Sequence, residues 1–335
     1  MKVLIVNTRE VISLLPMGEC IDVMEAALKS LARGEALMPL RTMMVLPGRQ
    51  DLMGLMPSYL GGLKTMGVKA IAAFPSNAGT DYDTHVGVVL VFDAERGALQ
   101  AVVDGTAITA IRTAAVSAAA TRRLARPEAG DLALIGAGTQ ARTHLEAMRC
   151  VRPIRRVRVY SLPLESAYKF AERESKRHGL PVEVKTNARE AVEGADLICT
   201  VSSAGEPVVK GEWIAPGTHI NAVGAFTPTT RELDTAAVAK SRLYVDRRDA
   251  TLNEAGEFLI PKREGAIDDR HIVAELGEVF LGKAPARQSA TEITLFKSLG
   301  LAIEDLAAAH HIFTKAQAAQ QGTWVEIGGG HFAEL

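Results

Sequence analysis

Leu132-Ala133-Leu134-Ile135-Gly136-Ala137-Gly138-Thr139-Gln140-Ala141 is the stretch that decides the fold. Four apolar residues read as a short buried strand, and a GxGxxA turn then opens a helix. Glycine at 136 permits the tight turn, glycine at 138 lets the backbone approach a pyrophosphate, and the small Ala141 allows close helix–strand packing. The helix N-terminus would stabilise the phosphate charge. A glycine-rich turn alone is common in α/β proteins, so its surroundings carry the argument. The linker Arg126-Pro127-Glu128-Ala129-Gly130 precedes the strand at 131–135. After it come a helix at 139–150, a strand at 157–160, a helix at 165–178 and a strand at 182–184. Further apolar strands fall at 197–201, 219–223 and 243–245. This alternation predicts a parallel sheet with helices on both faces, and hence dinucleotide binding.

A dinucleotide fold of this kind places an acid at the end of its second strand to bind the ribose of NAD. Here that strand ends Val159-Tyr160-Ser161-Leu162. No acid stands there to repel a 2'-phosphate, so NADP(H) is favoured over NAD(H). Glu165 lies a few residues on, and no arginine at 161 or 162 offers a phosphate clamp.

Upstream the rhythm differs. Ile21, Met24, Ala27, Leu28 and Leu31 follow helical spacing, and Gly34 stops the helix. Apolar runs at 68–74 and 86–92, then a turn at Asp93-Ala94-Glu95-Arg96-Gly97 into a run at 99–103, predict an antiparallel sheet. An alanine-rich helix is expected at 107–124. A last helical stretch at 291–321 must leave the nucleotide domain and return to the first. The expected division is therefore residues 1–124 with 303–335 against 125–302, with Gly328 to His331 as a flexible tail.

Composition bounds the function. The 335 residues carry 38 Lys+Arg against 39 Asp+Glu, a net charge of -1, with 47% hydrophobic residues, which excludes global disorder and predicts no nucleic-acid or membrane-surface partner. No uncharged apolar run is long enough to span a bilayer, and the N-terminal apolar stretch is cut short by Asn7, Arg9 and Glu10. Cys20, Cys150 and Cys199 show no metal or redox spacing and read as buried thiols of a cytoplasmic protein.

Three cations invite attention: Arg41 after Met38-Pro39-Leu40, Lys69 in Gly67-Val68-Lys69-Ala70-Ile71, and Arg112 in Ala110-Ile111-Arg112-Thr113. Each alone reads as a snorkelling side chain or an internal ion pair. Together, in apolar settings with few acids in the same segments, they point to a carboxylate-binding site. His85 could relay a proton near neutral pH. His310 and His311 point in different directions on a helix and make no metal pair; no metal site is expected.

These motifs, with Thr84-His85, Gly205-Glu206-Pro207, Asn221-Ala222-Val223-Gly224 and Lys297-Ser298, resemble the ornithine cyclodeaminase and mu-crystallin family over nearly the whole chain. The resemblance implies an α/β chain: a Rossmann domain, plus a discontinuous α+β domain that supplies the substrate site across a cleft and forms a homodimer. It implies that Arg41, Lys69 and Arg112 hold the substrate carboxylate and act in catalysis, with Thr84 in the pocket. Thr113, Gly136, Gly138, Thr139 and Gln140 fall at coenzyme positions, and Val201, Val223, Gly224 and Ser298 at its nicotinamide end; Ser161, at the end of the second strand, is a further expected coenzyme contact.

Cyclodeaminases resemble one another in a Gly-Asp-x-Pro-Gly-Lys stretch whose acid meets the substrate amine. Here the stretch reads Gly224-Ala225-Phe226-Thr227-Pro228-Thr229, and Phe226 can neither accept a proton nor pair with an ammonium. The expectation is therefore an NAD(P)H-dependent reductase of a small 2-carboxy imine such as pyrroline-2-carboxylate or piperideine-2-carboxylate, with Phe226 as an apolar wall. The alternatives are an amino-acid dehydrogenase, an ornithine or lysine cyclodeaminase, or a crystallin-like binding protein.

Overall fold

Eight parallel strands build the sheet that contains the glycine turn. Their order is Val182–Val184, Arg156–Tyr160, Asp131–Ile135, Leu197–Thr200, His219–Ala222, Thr294–Lys297, Arg242–Val245 and Ile272–Glu275. The chain starts at Asp131–Ile135, steps outward twice, then returns to the other side of that first strand. Such a reversal leaves a crevice at the carboxyl ends of the strands, where ligands of doubly wound sheets bind. Leu132, Ala133, Leu134, Leu197, Ile198 and Ile220 are fully buried. Strands covered on both faces need continuous apolar runs, which is why Asp131–Ile135 and Leu197–Thr200 lack polar alternation.

The second sheet, of mixed direction, runs Thr323–Glu326, Lys2–Val6, Leu99–Asp104, His85–Asp93, Thr65–Ala73, Leu52–Leu60 and Ala36–Leu37, with Thr42–Val45 also paired to Leu52–Leu60. All neighbours are antiparallel except Lys2–Val6 and Leu99–Asp104, which are parallel. The helix Ala302–Ala319 packs across the central strands, and Met17–Ala32 packs against that helix. Gly67 lies where the two meet: a Cβ there would run into the Leu90 carbonyl oxygen of the adjacent strand and stand 2.8 Å from Leu306 Cδ1 of the helix.

The computed structural model describes residues 1–77 and 80–328. Of the expected tail, residues 329–331 lie outside the described residues. The chain divides into one unit of Met1–Arg112 with Leu301–Leu335 and another of Thr113–Gly300, so the first break falls inside the helix Gly105–Leu124 rather than at its end.

Two expectations are corrected. The single helix over 291–321 is instead the strand Thr294–Lys297, a turn through Gly300 at φ 78°, and the helix Ala302–Ala319. A short apolar run such as Thr294-Leu295-Phe296 fits a buried strand or a buried helix equally, and only its place between two strands decides. Cys20 and Cys199 are buried, but Cys150 is exposed, because it lies in the last turn of the helix Thr139–Val151 beside the equally exposed Arg149.

Candidate active site

The cations expected to be short of acids have acids, supplied from far along the chain. Lys69 lies on the strand Thr65–Ala73 and is 2% exposed; Arg112 lies on the helix Gly105–Leu124 and is 5% exposed. Because Gly67 admits the helix Ala302–Ala319 closely, its first turn brings Glu304 and Asp305 to them. Lys69 Nζ donates to Asp305 Oδ1 at 2.9 Å and to Thr109 Oγ1 at 2.5 Å. Arg112 donates from Nε to Asp305 Oδ1 and from Nη1 to Glu304 Oε2, both at 3.0 Å. Glu304 also accepts the Leu301 N–H at 3.2 Å, as an N-terminal acid of a helix does.

The electrostatics follow from burial. Loss of hydration pushes the Lys69 ammonium from an ordinary 10.5 down to about 8; Asp305 opposes this, and Arg112 adds to it. Burial pulls the Asp305 carboxyl upward, yet Arg112 and Lys69 outweigh it and hold the group below the usual range. Asp305 Oδ2 is buried without a hydrogen-bond partner among the described residues. Burial also lowers His85, with Lys69 and Arg112 lowering it further, which places this imidazole within reach of the cluster's field.

Arg41 precedes the strand Thr42–Val45 and is half-exposed. Thr42 pairs with Leu55, so continuing the register by one residue sets Arg41 level with Met56, whose other neighbour is Lys69. Thr84 is exposed, and its carbonyl accepts the Phe74 N–H at 2.8 Å, just ahead of the strand His85–Asp93.

In the other unit the glycine turn has the shape a dinucleotide needs. Gly136 has φ 119°, and a Cβ on it would meet the Val201 carbonyl at 2.7 Å. Gly138 caps the helix Thr139–Val151, and a Cβ there would meet nothing within 4 Å. Gly138 and Thr139 are exposed, Gln140 is half-buried, Thr113 is buried, and Ala141 is packed at 0% exposure. The residues therefore fit a pyrophosphate at the helix N-terminus. Ser161 is half-exposed at the end of Arg156–Tyr160; Glu165 is turned to Lys169 at 2.6 Å, both exposed. Val201, Val223 and Gly224 are half-buried, Ser298 is buried with its N–H on the Ala222 carbonyl at 3.0 Å, and the Phe226 side chain is 47% exposed.

The sequence reading missed Glu304 and Asp305. A signal existed: two adjacent acids in the apolar helical run Ala302-Ile303-Glu304-Asp305-Leu306-Ala307 cannot both face solvent when the residues on each side are core.

The doubly wound sheet with its glycine turn is a Rossmann dinucleotide-binding fold. Residues 1–320 match the ornithine cyclodeaminase/mu-crystallin family, and the chain belongs to that family. It is 41% identical over 293 residues to the ketimine reductase mu-crystallin of Mus musculus, covering 87% of this chain and 90% of that protein. The structure of Thermococcus litoralis Delta(1)-pyrroline-2-carboxylate reductase in complex with NADH and L-proline superposes with a TM-score of 0.94 at 41% identity, covering 96% of this chain and 99% of that one. An archaeal alanine dehydrogenase dimer with bound NAD superposes at 0.92 and 33% identity, covering 98% and 100%. The chain is accordingly an NAD(P)-dependent oxidoreductase.

Proposed function

We propose that the protein reduces a small cyclic 2-carboxy imine, pyrroline-2-carboxylate or piperideine-2-carboxylate, to the corresponding amino acid. The observation that carries this reading is the buried Lys69–Asp305 pair: a lysine brought to about 8 beside a carboxylate oxygen with no partner of its own among the described residues. A bound reduced nicotinamide supplies the hydride for the C=N carbon. Lys69, protonated at neutral pH, gives the proton that the nitrogen needs, and Asp305 Oδ2 accepts the hydrogen bond of the N–H so formed. Arg41 and Arg112 hold and orient the substrate carboxylate, and Lys69 adds positive charge beside it. Thr84 borders the same pocket. Phe226 stands where cyclodeaminases carry an acid and supplies none for a distal amine, which disfavours a cyclodeaminase.

Thr113, Gly136, Gly138, Thr139, Gln140 and Ser161 hold the coenzyme, with Val201, Val223, Gly224 and Ser298 at the nicotinamide end. With no acid at Ser161 and Glu165 engaged by Lys169, NADP(H) is preferred over NAD(H). The chain acts as a homodimer through the uncovered face of the mixed sheet. There Met44, Met53 and Val86, and beside them Leu55 and Val88, form exposed apolar rows, Met44 and Met53 being a register pair. A patch of this kind on a sheet marks an interface. The cytoplasm is its compartment, consistent with free thiols at Cys20, Cys150 and Cys199.

The test is a set of initial rates pairing NADPH and NADH with each cyclic imine, and NAD+ with alanine or with ornithine while ammonia is followed. Rapid coenzyme oxidation with a cyclic imine and no ammonia from ornithine is expected. Silence with both imines, or ammonia from ornithine, would overturn the reading, and alanine oxidation alone would transfer it to a dehydrogenase.

A further inference from the structure

A second cluster of buried charge lies in the unit of Thr113–Gly300. Glu232 and Lys297 are 0% exposed and Glu257 is 1% exposed. Glu232 Oε1 accepts the Ser202 N–H and the Ser202 hydroxyl, each at 2.7 Å, and Oε2 accepts the Gly224 N–H at 2.7 Å. Ser202 follows the strand Leu197–Thr200, and Gly224 follows the adjacent strand His219–Ala222. One carboxylate thus joins the loops at the carboxyl ends of two neighbouring strands. Glu257 Oε1 accepts the N–H of Glu232 itself at 2.8 Å, and its Oε2 pairs with Lys297 Nζ at 3.0 Å. Lys297 also donates to the carbonyls of Ala225 at 2.5 Å and Ala222 at 3.3 Å. Apart from the Ser202 hydroxyl, the side-chain bonds of this network that are not internal end on main chain of those two loops or the strands feeding them.

The loops so joined adjoin the glycine turn. The Val201 carbonyl lies where a Cβ on Gly136 would be, and the Ser202 carbonyl and Glu232 Oε1 lie where a Cβ on Gly224 would be. Three charges buried at this cost in hydration are retained where replacement by apolar residues would serve stability as well. A network that fixes main chain at the carboxyl ends of a doubly wound sheet acts on whatever ligand binds there.

We infer that Glu232 is a positioning residue of the coenzyme site: its carboxylate locks Ser202 to Gly224, with Glu257 and Lys297 holding it in place, and so sets the loops that receive the nicotinamide end. This rests on the coenzyme placement proposed above. Glu232→Gln keeps the shape but turns an amide N–H2 toward one of the two loops, where a donor meets a donor, so one tie is lost.

The experiment measures NADH binding by nicotinamide fluorescence and ADP binding by calorimetry, on the intact wild-type protein and on Glu232→Gln. NADH binding is expected to weaken about tenfold or more, with ADP, which lacks the nicotinamide half, held within about twofold. NADH affinity within about twofold of wild type, or equal losses for NADH and ADP, would overturn the inference. Wild-type protein that binds ADP but gains nothing from the nicotinamide would instead overturn the coenzyme placement. If Glu232→Gln does not accumulate as folded protein, Glu232→Asp, which keeps the charge but loses the reach to one loop, is read by the same two affinities.

Discussion

In the unit that includes Lys69, Arg112, Glu304 and Asp305, buried charges bond to one another, side chain to side chain, two cations against two carboxylates. In the unit that includes Glu232, Glu257 and Lys297, one cation faces two carboxylates, and the bonds of Glu232 and Lys297 run mostly to main chain. Both clusters are equally dry, so burial does not separate them. Where the ions answer each other, Asp305 Oδ2 lacks a hydrogen-bond partner among the described residues beside a lysine brought to about 8, which suits chemistry. Where they answer the backbone, the charge fixes loops.

The contrast breaks first at Lys69. Lys69→Met is expected to lower kcat for cyclic imine reduction by about 10²–10⁴, the usual range for a positioned acid, while NADH binding stays unchanged. A loss under about tenfold in steady-state assays would make this cluster no more reactive than the other. Next in size is the pH profile. Lys69 must be protonated to act, so kcat/KM falls as pH rises through about 8. Asp305 raises the Lys69 pKa, so Asp305→Asn moves that limb to lower pH by about one unit or more. A limb that stays in place would assign the titration to another group.

Stability against acid sharpens the comparison from the other side. In the unit of Thr113–Gly300, burial lowers His144 to about 4 and His219 to about 3, from 6.5. Both folded values lie below the unfolded one, so the contribution is complete above 6.5 and lost as pH falls from there toward 4 and 3. The slope is about 1.4 kcal/mol per pH unit for each imidazole. Urea unfolding at pH 7 and pH 5 measures it, and His219→Gln should shrink the difference by one imidazole's share. The smallest expected effect is Phe226→Asp. Ammonia release from ornithine is expected to stay at background, because one acid alone does not make a cyclodeaminase, and a clear gain in the ammonia assay would show that the missing acid alone excludes cyclodeamination.

The Rossmann sheet was legible because its signals are local: apolar runs of strand length, a glycine turn, and helices between them. Lys69 and Arg112 were legible as charges in apolar company. Their partners were not, since Asp305 lies 236 residues from Lys69 and 193 from Arg112, and pairing over such a span is written in no local pattern. The strand Thr294–Lys297 was hidden for a related reason. Its apolar residues fit either element, and its neighbours in the sheet come from strands at His219–Ala222 and Arg242–Val245. Glu232 was unremarkable in sequence because its work is done on main-chain groups, which every residue carries.

Gly67 gives the order of events during synthesis a chemical meaning. A chain growing from its N-terminus exposes Lys69 and Arg112 long before the helix Ala302–Ala319 exists, and until then the two cations have neither Glu304 nor Asp305 to meet. The bare backbone at Gly67 is where Leu306 of that helix comes to lie. The cluster of Lys69, Arg112, Glu304 and Asp305 is therefore completed only after the whole of the dinucleotide-binding sheet.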